Sequence, residues 1–222
     1  SSFGLYTWMN NPESQMVAVT VRAGSKAEMA LPDGTFVHLN AATNLEYDVN
    51  NSKQRLVKLS GEAFFDVAKN PDCPFKVIIN DLQIEVVGTS FNVKTYKKDI
   101  VETSLLSGRI RISGGSLPHE YTLSPGQKAT YSAMDRTLRI SKADAHVEAG
   151  WRDNYLIFES TPLIDVIAQI ERWYGVEIRL HHKQIAQDLL SGSFRNESIQ
   201  NVIRSLSIQY GFKYEIHKDI IT

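Results

Sequence analysis

The chain has a single cysteine, Cys73, among its 222 residues. One thiol cannot close an internal disulfide, and it excludes zinc sites built from several cysteines. Such scarcity suits the cytosol, and equally an envelope protein that avoids stray pairing. An excess of either charge is missing too: 24 basic against 25 acidic side chains leave a net charge of -1. The densest basic stretch is Lys97-Lys98 with Lys94 nearby, far short of the basic face that nucleic acid requires. No nucleic-acid partner is expected. No apolar run approaches 18 residues, so no spanning helix is predicted. The charged start and apolar run of a signal peptide are lacking. An initiating methionine is lacking as well; the chain opens Ser-Ser-Phe-Gly-Leu. It reads as part of a longer protein; if that protein is membrane-anchored, the anchor precedes residue 1.

What is present is ordinary for a globular chain: 42% hydrophobic and 22% charged residues, enough for one large domain or two small ones. Residues 1–15 are polar and aromatic without periodicity and read as a linker. Phe3, Tyr6 and Trp8 suit either a membrane surface or packing on the domain. From Met16 to about Ile140 the period is two. Val17, Val19 and Val21 alternate with small or polar residues, as do Leu45, Tyr47 and Val49, and Leu82, Ile84 and Val86. Turn signals such as Asp33-Gly34, Asn70-Pro71-Asp72 and Pro125-Gly126 recur between these runs. Short strands at such spacing predict an all-β domain over 16–150, a sandwich or roll of about ten mainly antiparallel strands.

Near Trp151 the pattern changes. Leu163, Val166, Ile167, Ile170 and Tyr174 mark one face of a helix, with Thr161 as cap, Pro162 in the first turn and Gly175 as exit. Val176, Ile178 and Leu180 then alternate as a strand. The pattern repeats 36 residues on: Ile199, Val202, Ile203, Leu206 and Tyr210, with Asn196 as cap, Gly211 as exit, and a strand over Phe212–Lys218. A fixed offset marks a duplicated supersecondary unit. Residues 151–222 are therefore expected to form a small α/β domain, a βαβ–βαβ repeat with two helices on one face of a sheet.

Few residues could carry chemistry. Glu62 and Asp66 are four apart on a strand, about 13 Å by strand rise, too far for a glycosidase pair at roughly 5–9.5 Å; they read as solvated or turn-bonded carboxylates. His181 and His182 point to opposite faces of a strand and cannot easily share a metal. Cys73 lacks a placeable base. Gly88-Thr-Ser-Phe-Asn92 lacks phosphate-loop spacing. No catalytic, cofactor-binding or metal residue is assigned. Trp151, Trp173 and Tyr174 fall at the expected domain junction, where they serve core packing or set the angle between domains.

Several stretches resemble a family. Leu31-Pro-Asp-Gly-Thr with Val37, Leu39, Asn40 and Ala41, then Leu59-Ser-Gly-Glu-Ala-Phe-Phe-Asp-Val67 with Pro74-Phe75, then Val87-Gly-Thr-Ser-Phe-Asn-Val93, resemble the FecR domain. Leu123-Ser-Pro-Gly-Gln127 and the series Trp151, Leu156, Phe158, Pro162-Leu163 resemble its later segments. Residues 151–222 resemble the short N-terminal domain of secretins and TonB-dependent receptors. The resemblance implies the periplasmic part of an anti-sigma factor, tethered to the inner membrane. It further implies two partners, the signalling domain of a TonB-dependent receptor and a sigma factor held by a cytosolic segment outside this chain. Phe212, Tyr214 and Ile216 on the expected terminal strand are the candidate partner-binding residues, by strand addition. The rival readings are a carbohydrate-binding envelope β-protein, which would show solvent-facing aromatics on the β half, and an envelope scaffold module.

Overall fold

A computed structural model describes residues 15–49, 55–179 and 188–222. The first part is built of β1 (Met16–Val21), β2 (Ala27–Ala30), β3 (Phe36–Leu39), β4 (Thr43–Asp48), β5 (Arg55–Ser60), β6 (Glu62–Asp66) and β7 (Phe75–Ile79). It continues with β8 (Leu82–Val86), β9 (Ser90–Lys94), β10 (Ile100–Ser107), β11 (Ile110–Gly114), β12 (Tyr121–Leu123), β13 (Gln127–Ser132) and β14 (Thr137–Lys142). Among the described residues these make two seven-stranded sheets, β1-β4-β5-β7-β8-β11-β12 and β14-β13-β10-β9-β6-β3-β2. The expected number of about ten strands is too low. β2, β3 and β12 are three or four residues long, too short for alternation to register.

Alternation sends one face of each sheet inward. Leu45, Val57, Val77, Ile84 and Ile112 of the first sheet meet Val37, Phe65, Phe91, Leu105 and Tyr131 of the second in one buried core. Phe65 lies 5.2 Å from Phe91 and 5.7 Å from Phe75, ring centre to ring centre. β5 and β7 pair in parallel. Parallel neighbours cannot be joined by a hairpin, so the chain crosses to the second sheet as β6 before returning as β7. Arg55 secures the return. Its Nε donates to the Cys73 carbonyl at 2.6 Å, Nη1 to the Ala68 carbonyl at 2.6 Å and to Asp33 at 3.2 Å, and Nη2 to the Asn70 carbonyl at 3.2 Å.

The turn chemistry read from the sequence holds. At Asp33-Gly34 the Gly34 amide donates to the Leu31 carbonyl and closes the β2–β3 hairpin. At Pro125-Gly126 the Gln127 amide donates to the Ser124 carbonyl, with Gly126 at φ 79°, as a type II turn requires.

Two short helical turns that no period-3.6 pattern predicts follow: α1 (Ala145–Ala149), capped by Asp144, and a 3-10 turn at Gly150–Asp153. Asn154, left-handed at φ 62°, ends the second. Then come β15 (Tyr155–Pro162), α2 (Leu163–Tyr174), β16 (Glu177–Ile178), β17 (Leu189–Arg195), α3 (Ile199–Tyr210), β18 (Ile216–His217) and β19 (Ile220–Ile221). The helices keep the 36-residue offset, and both exit through left-handed glycines, Gly175 and Gly211. Their apolar faces share a second core with Leu156, Phe158, Leu190 and Ile221. Among the described residues no helix is long and apolar enough to cross a membrane.

Three details of this segment differ from the sequence reading. Its strands form two small sheets, β15-β17 and β16-β19-β18, because the chain closes on a hairpin at β18 and β19 that periodicity cannot see in two-residue strands. The strand expected over 212–218 is regular only at Ile216–His217. The caps shift as well. Thr161 belongs to β15 and its hydroxyl accepts from the Glu159 amide, leaving Pro162 at the start of α2. Ser198 caps α3 in place of Asn196, which takes a left-handed turn. Leu180, His181 and His182 lie outside the described residues, as do Phe3, Tyr6 and Trp8.

Candidate functional site

The outward face of the second sheet carries Glu62, Phe64, Asn92, Lys94 and Glu102 on strands β6, β9 and β10, with Asn40 just past the end of β3 beside Glu62. Such a face is expected to be wet. Glu62, Phe64 and Asn92 are instead only 6%, 3% and 2% exposed. The chain itself covers them: Ala149 and Trp151, in the connecting turns, pack on Phe64, with Leu106 and Trp173 alongside. Of the two readings of Glu62, solvated or turn-bonded, the solvated one is therefore wrong. Asp66, at the far end of the same strand, is exposed and accepts from the Ser90 hydroxyl.

A carboxylate in such a place needs donors on both oxygens. Glu62 has them: Asn40 Nδ2 donates at 2.7 Å and Asn92 Nδ2 at 3.0 Å. The Asn92 carbonyl oxygen in turn accepts from the Trp151 indole N–H at 3.1 Å. Asn40, Glu62, Asn92 and Trp151 thus form one chain of hydrogen bonds running from the second sheet into the connector.

Lys26, in the β1–β2 loop, reaches the same point from the other side. Its Nζ donates to the Trp151 carbonyl at 2.6 Å and to Asn154 Oδ1 at 3.0 Å, and stands 3.6 Å from the centre of the Trp173 ring. Neighbouring contacts extend this seam along α2. The Arg172 guanidinium lies 4.1 Å from the Tyr96 ring, and the Gly24 amide donates to the Arg172 carbonyl at 2.8 Å. The backbones at Gly24 and Gly175 approach so closely that a Cβ on Gly24 would sit 3.1 Å from the Tyr174 carbonyl oxygen. The Tyr96 hydroxyl donates to the Ala41 carbonyl. Burial, and then the nearby Glu62 charge, push that phenol up.

Burial pushes the Lys26 amine down from 10.5 to about 8, with Glu62 opposing. The folded chain thus gives up this proton before the unfolded chain does, so stability rises with pH between about 8 and 10.5. Tyr96 acts oppositely above its unfolded value near 10, where the unfolded chain ionises first. Urea denaturation midpoints should climb between pH 8 and 10 and then fall. Lys26→Met should abolish the climb; a climb that survives the substitution would assign it elsewhere.

Beside the seam, a cleft of about 610 Å³ separates the outward face of the second sheet from β15 and α2. Its floor is a relay of charges, Lys94–Glu102–Lys128–Glu148, at 3.8, 3.1 and 3.0 Å. Burial works to raise the Glu102 carboxyl, but Lys94 and Lys128 outweigh it and hold it below the ordinary range. Burial works to lower Lys128, and Glu102 and Glu148 outweigh it in turn. Across the mouth, Lys97 of the β9–β10 loop meets Asp165 of α2 at 2.6 Å.

A second concavity, about 450 Å³ and lined by Leu163, Ile170, Leu206, Phe212, Tyr214 and Ile221 among others, opens in the C-terminal segment. Phe212, Tyr214 and Ile216 are half-buried against the second core, and β18 is the edge of its sheet. Of the three aromatics expected at a domain junction, Trp151 and Trp173 pack in one cluster with Phe64 and Ala149. Tyr174 packs on the second core, and its hydroxyl donates to the Glu197 carbonyl. Among the described residues no three His, Cys, Asp or Glu side chains converge as a metal site.

The comparisons with known proteins fit this geometry. Residues 17–111 match the family described as FecR protein, and residues 155–222 match the family described as FecR, C-terminal. Two crystal structures of a candidate anti-sigma factor from Parabacteroides distasonis superpose with TM-scores of 0.83. One is 29% identical, over 92% of this chain and 97% of its own; the other is 30% identical, over 93% and 97%. The chain belongs to the FecR family of anti-sigma factors. No curated protein matches it. In this FecR chain the two matched stretches supply the two sides of the seam: Lys26, Glu62 and Asn92 come from the first and Trp173 from the second, while Trp151 lies between them. Sequence reading finds Trp151 and Trp173 but misses Lys26, Asn40, Asn92, Tyr96 and Arg172. The available signal was Phe64, an apolar side chain on the face that alternation assigns to water.

Proposed function

We propose that this chain is the periplasmic, signal-receiving part of its anti-sigma factor, tethered to the inner membrane by a helix preceding residue 1. On this reading residues 16–150 and 151–222 are two bodies joined at the seam, and the C-terminal body binds the signalling domain of a TonB-dependent outer-membrane receptor. Binding alters how the two bodies bear on one another. The change passes through the membrane helix to a cytosolic segment that holds an extracytoplasmic-function sigma factor.

One observation carries the proposal. Among the described residues the C-terminal segment places a strand edge without a neighbour, β18, next to an apolar groove with Phe212 and Tyr214 in its wall. A partner strand can add its backbone hydrogen bonds to such an edge while its side chains enter the groove. The glycan-binding rival needs a row of exposed aromatics on the β half. Among the large apolar side chains described as exposed there, Phe36 is the sole aromatic.

The test is a calorimetric titration of the chain with a receptor signalling domain. The expected result is saturable 1:1 binding, weakened about tenfold or more by Tyr214→Asp, as expected for a central contact residue. Circular dichroism would check that the variant folds. Equal affinity of a folded variant would contradict the docking surface.

A further inference from the structure

The contacts between the two halves fall into two kinds. The connector is anchored to the β half: Trp151 is 6% exposed, its indole N–H is held by Asn92, and its neighbours Phe64 and Ala149 are buried. The α2 side is different. Trp173 is only partly buried beside the Phe64–Trp151 cluster, and the rest is one backbone hydrogen bond from Gly24 to Arg172, the Lys26 ammonium on the Trp173 ring, Arg172 across Tyr96, and Lys97 with Asp165, both side chains partly in water. Between these strips lies the cleft of about 610 Å³ rather than packed side chains. Buried, interlocked side chains resist displacement, whereas exposed ion pairs hold weakly. Between the two kinds of contact stands Asn154, a left-handed residue at the end of a single 3-10 turn, the sort of element-terminal position that absorbs a change in backbone angle.

We infer that the cleft opens and closes by a swing of the C-terminal segment about Asn154, with Trp151 remaining on the β half and the Lys26–Trp173 and Lys97–Asp165 contacts acting as the clasp. This rests on the two-body reading given above. The device gives docking on the C-terminal body a mechanical consequence at the seam. The closed form is the one seen, with α2 against Gly24 and Tyr96. In the open form the Glu102–Lys128–Glu148 floor of the cleft, already partly exposed, opens further to solvent, and the Asn40–Glu62–Asn92–Trp151 chain stays intact.

The swing is measurable by electron–electron spin distances in the whole chain. Labels would be placed at Thr122→Cys on the β half and Ser205→Cys on α3, both exposed, with Cys73→Ser removing the native thiol. The expected wild-type distribution has a dominant distance and a minor longer one. Lys97→Glu, which sets two acids against each other across the mouth, and Lys26→Ala should each raise the longer component at least threefold. The Lys97 side chain is 59% exposed, so its variant folds and the test survives if Lys26→Ala does not. One unchanged distance in wild type and variants overturns the hinge. Hydrogen exchange on the same samples separates the two claims. Two groups of amides opening independently, with one fixed distance, sink the hinge and leave the two bodies; one cooperative unit with one distance sinks both.

Discussion

Trp151→Ala will lower the unfolding free energy by about 3–5 kcal/mol, the range for removing a large buried aromatic. The side chain is 6% exposed and fills the space over Phe64 and Ala149. Its loss also leaves the Asn92 carbonyl oxygen without the indole donor, in a site where Asn92 is 2% exposed. Trp151→Phe separates the two contributions. It retains most of the packing and removes only the N–H, so its cost should be nearer the 1–3 kcal/mol of one unsatisfied buried polar group. Urea titrations of the three proteins check both values. A Trp151→Ala cost below about 1 kcal/mol would mean that the connector does not fasten the two cores together.

Arg55→Ala should be as damaging for a different reason. The Arg55 side chain is 4% exposed, and its guanidinium donates to Asp33 and to the carbonyls of Ala68, Asn70 and Cys73. Removing one partner of a buried charged pair costs about 3–5 kcal/mol, because the remaining groups stay desolvated. Here Asp33 belongs to the β2–β3 turn, and the three carbonyls belong to the loop that returns the chain from β6 to β7. The loss should therefore appear first as faster hydrogen exchange over residues 67–74 and only then as global unfolding. Lys cannot substitute, since one ammonium does not span the four acceptors that the planar fork reaches. Arg55→Lys should recover less than half of the lost stability. Full recovery would show that charge alone, without the fork, holds the loop.

These two residues also show where sequence reading stops. Turns are local, and they were legible: Asp33-Gly34 and Pro125-Gly126 make the predicted reversals, and Gly175 and Gly211 end the two helices as expected. The duplicated helical period identifies α2 and α3 because each presents a stripe of several large apolar side chains. The strands expected around Ile178 and Ile216 contain β16 and β18, but a two-residue strand carries no period, so β19 and the pairing of all three stayed hidden. The seam was illegible for a stronger reason. Lys26 and the Trp151 carbonyl it binds are 125 residues apart, and Trp151 and Asn92 are 59 apart. Alternation along β6 places Glu62 and Phe64 on one face, but it cannot tell whether water or the chain's own later turns will cover that face. Phe64 beside Glu62 gave a hint, because a strand apolar on both faces is usually covered on both. Arg55 gave none, since a lone arginine before a β run reads the same whether it is solvated or caged by carbonyls.

Amide hydrogen exchange, recorded with and without the receptor signalling domain, bears most directly on whether this chain receives a signal at one end and passes it on at the seam. Added partner should slow exchange around Glu215–Ile221 and change it at Gly24, whose amide donates to the Arg172 carbonyl, and at Asn154, whose side chain accepts from Lys26. Protection confined to the β half, or no change at any amide under saturating partner, would contradict the account.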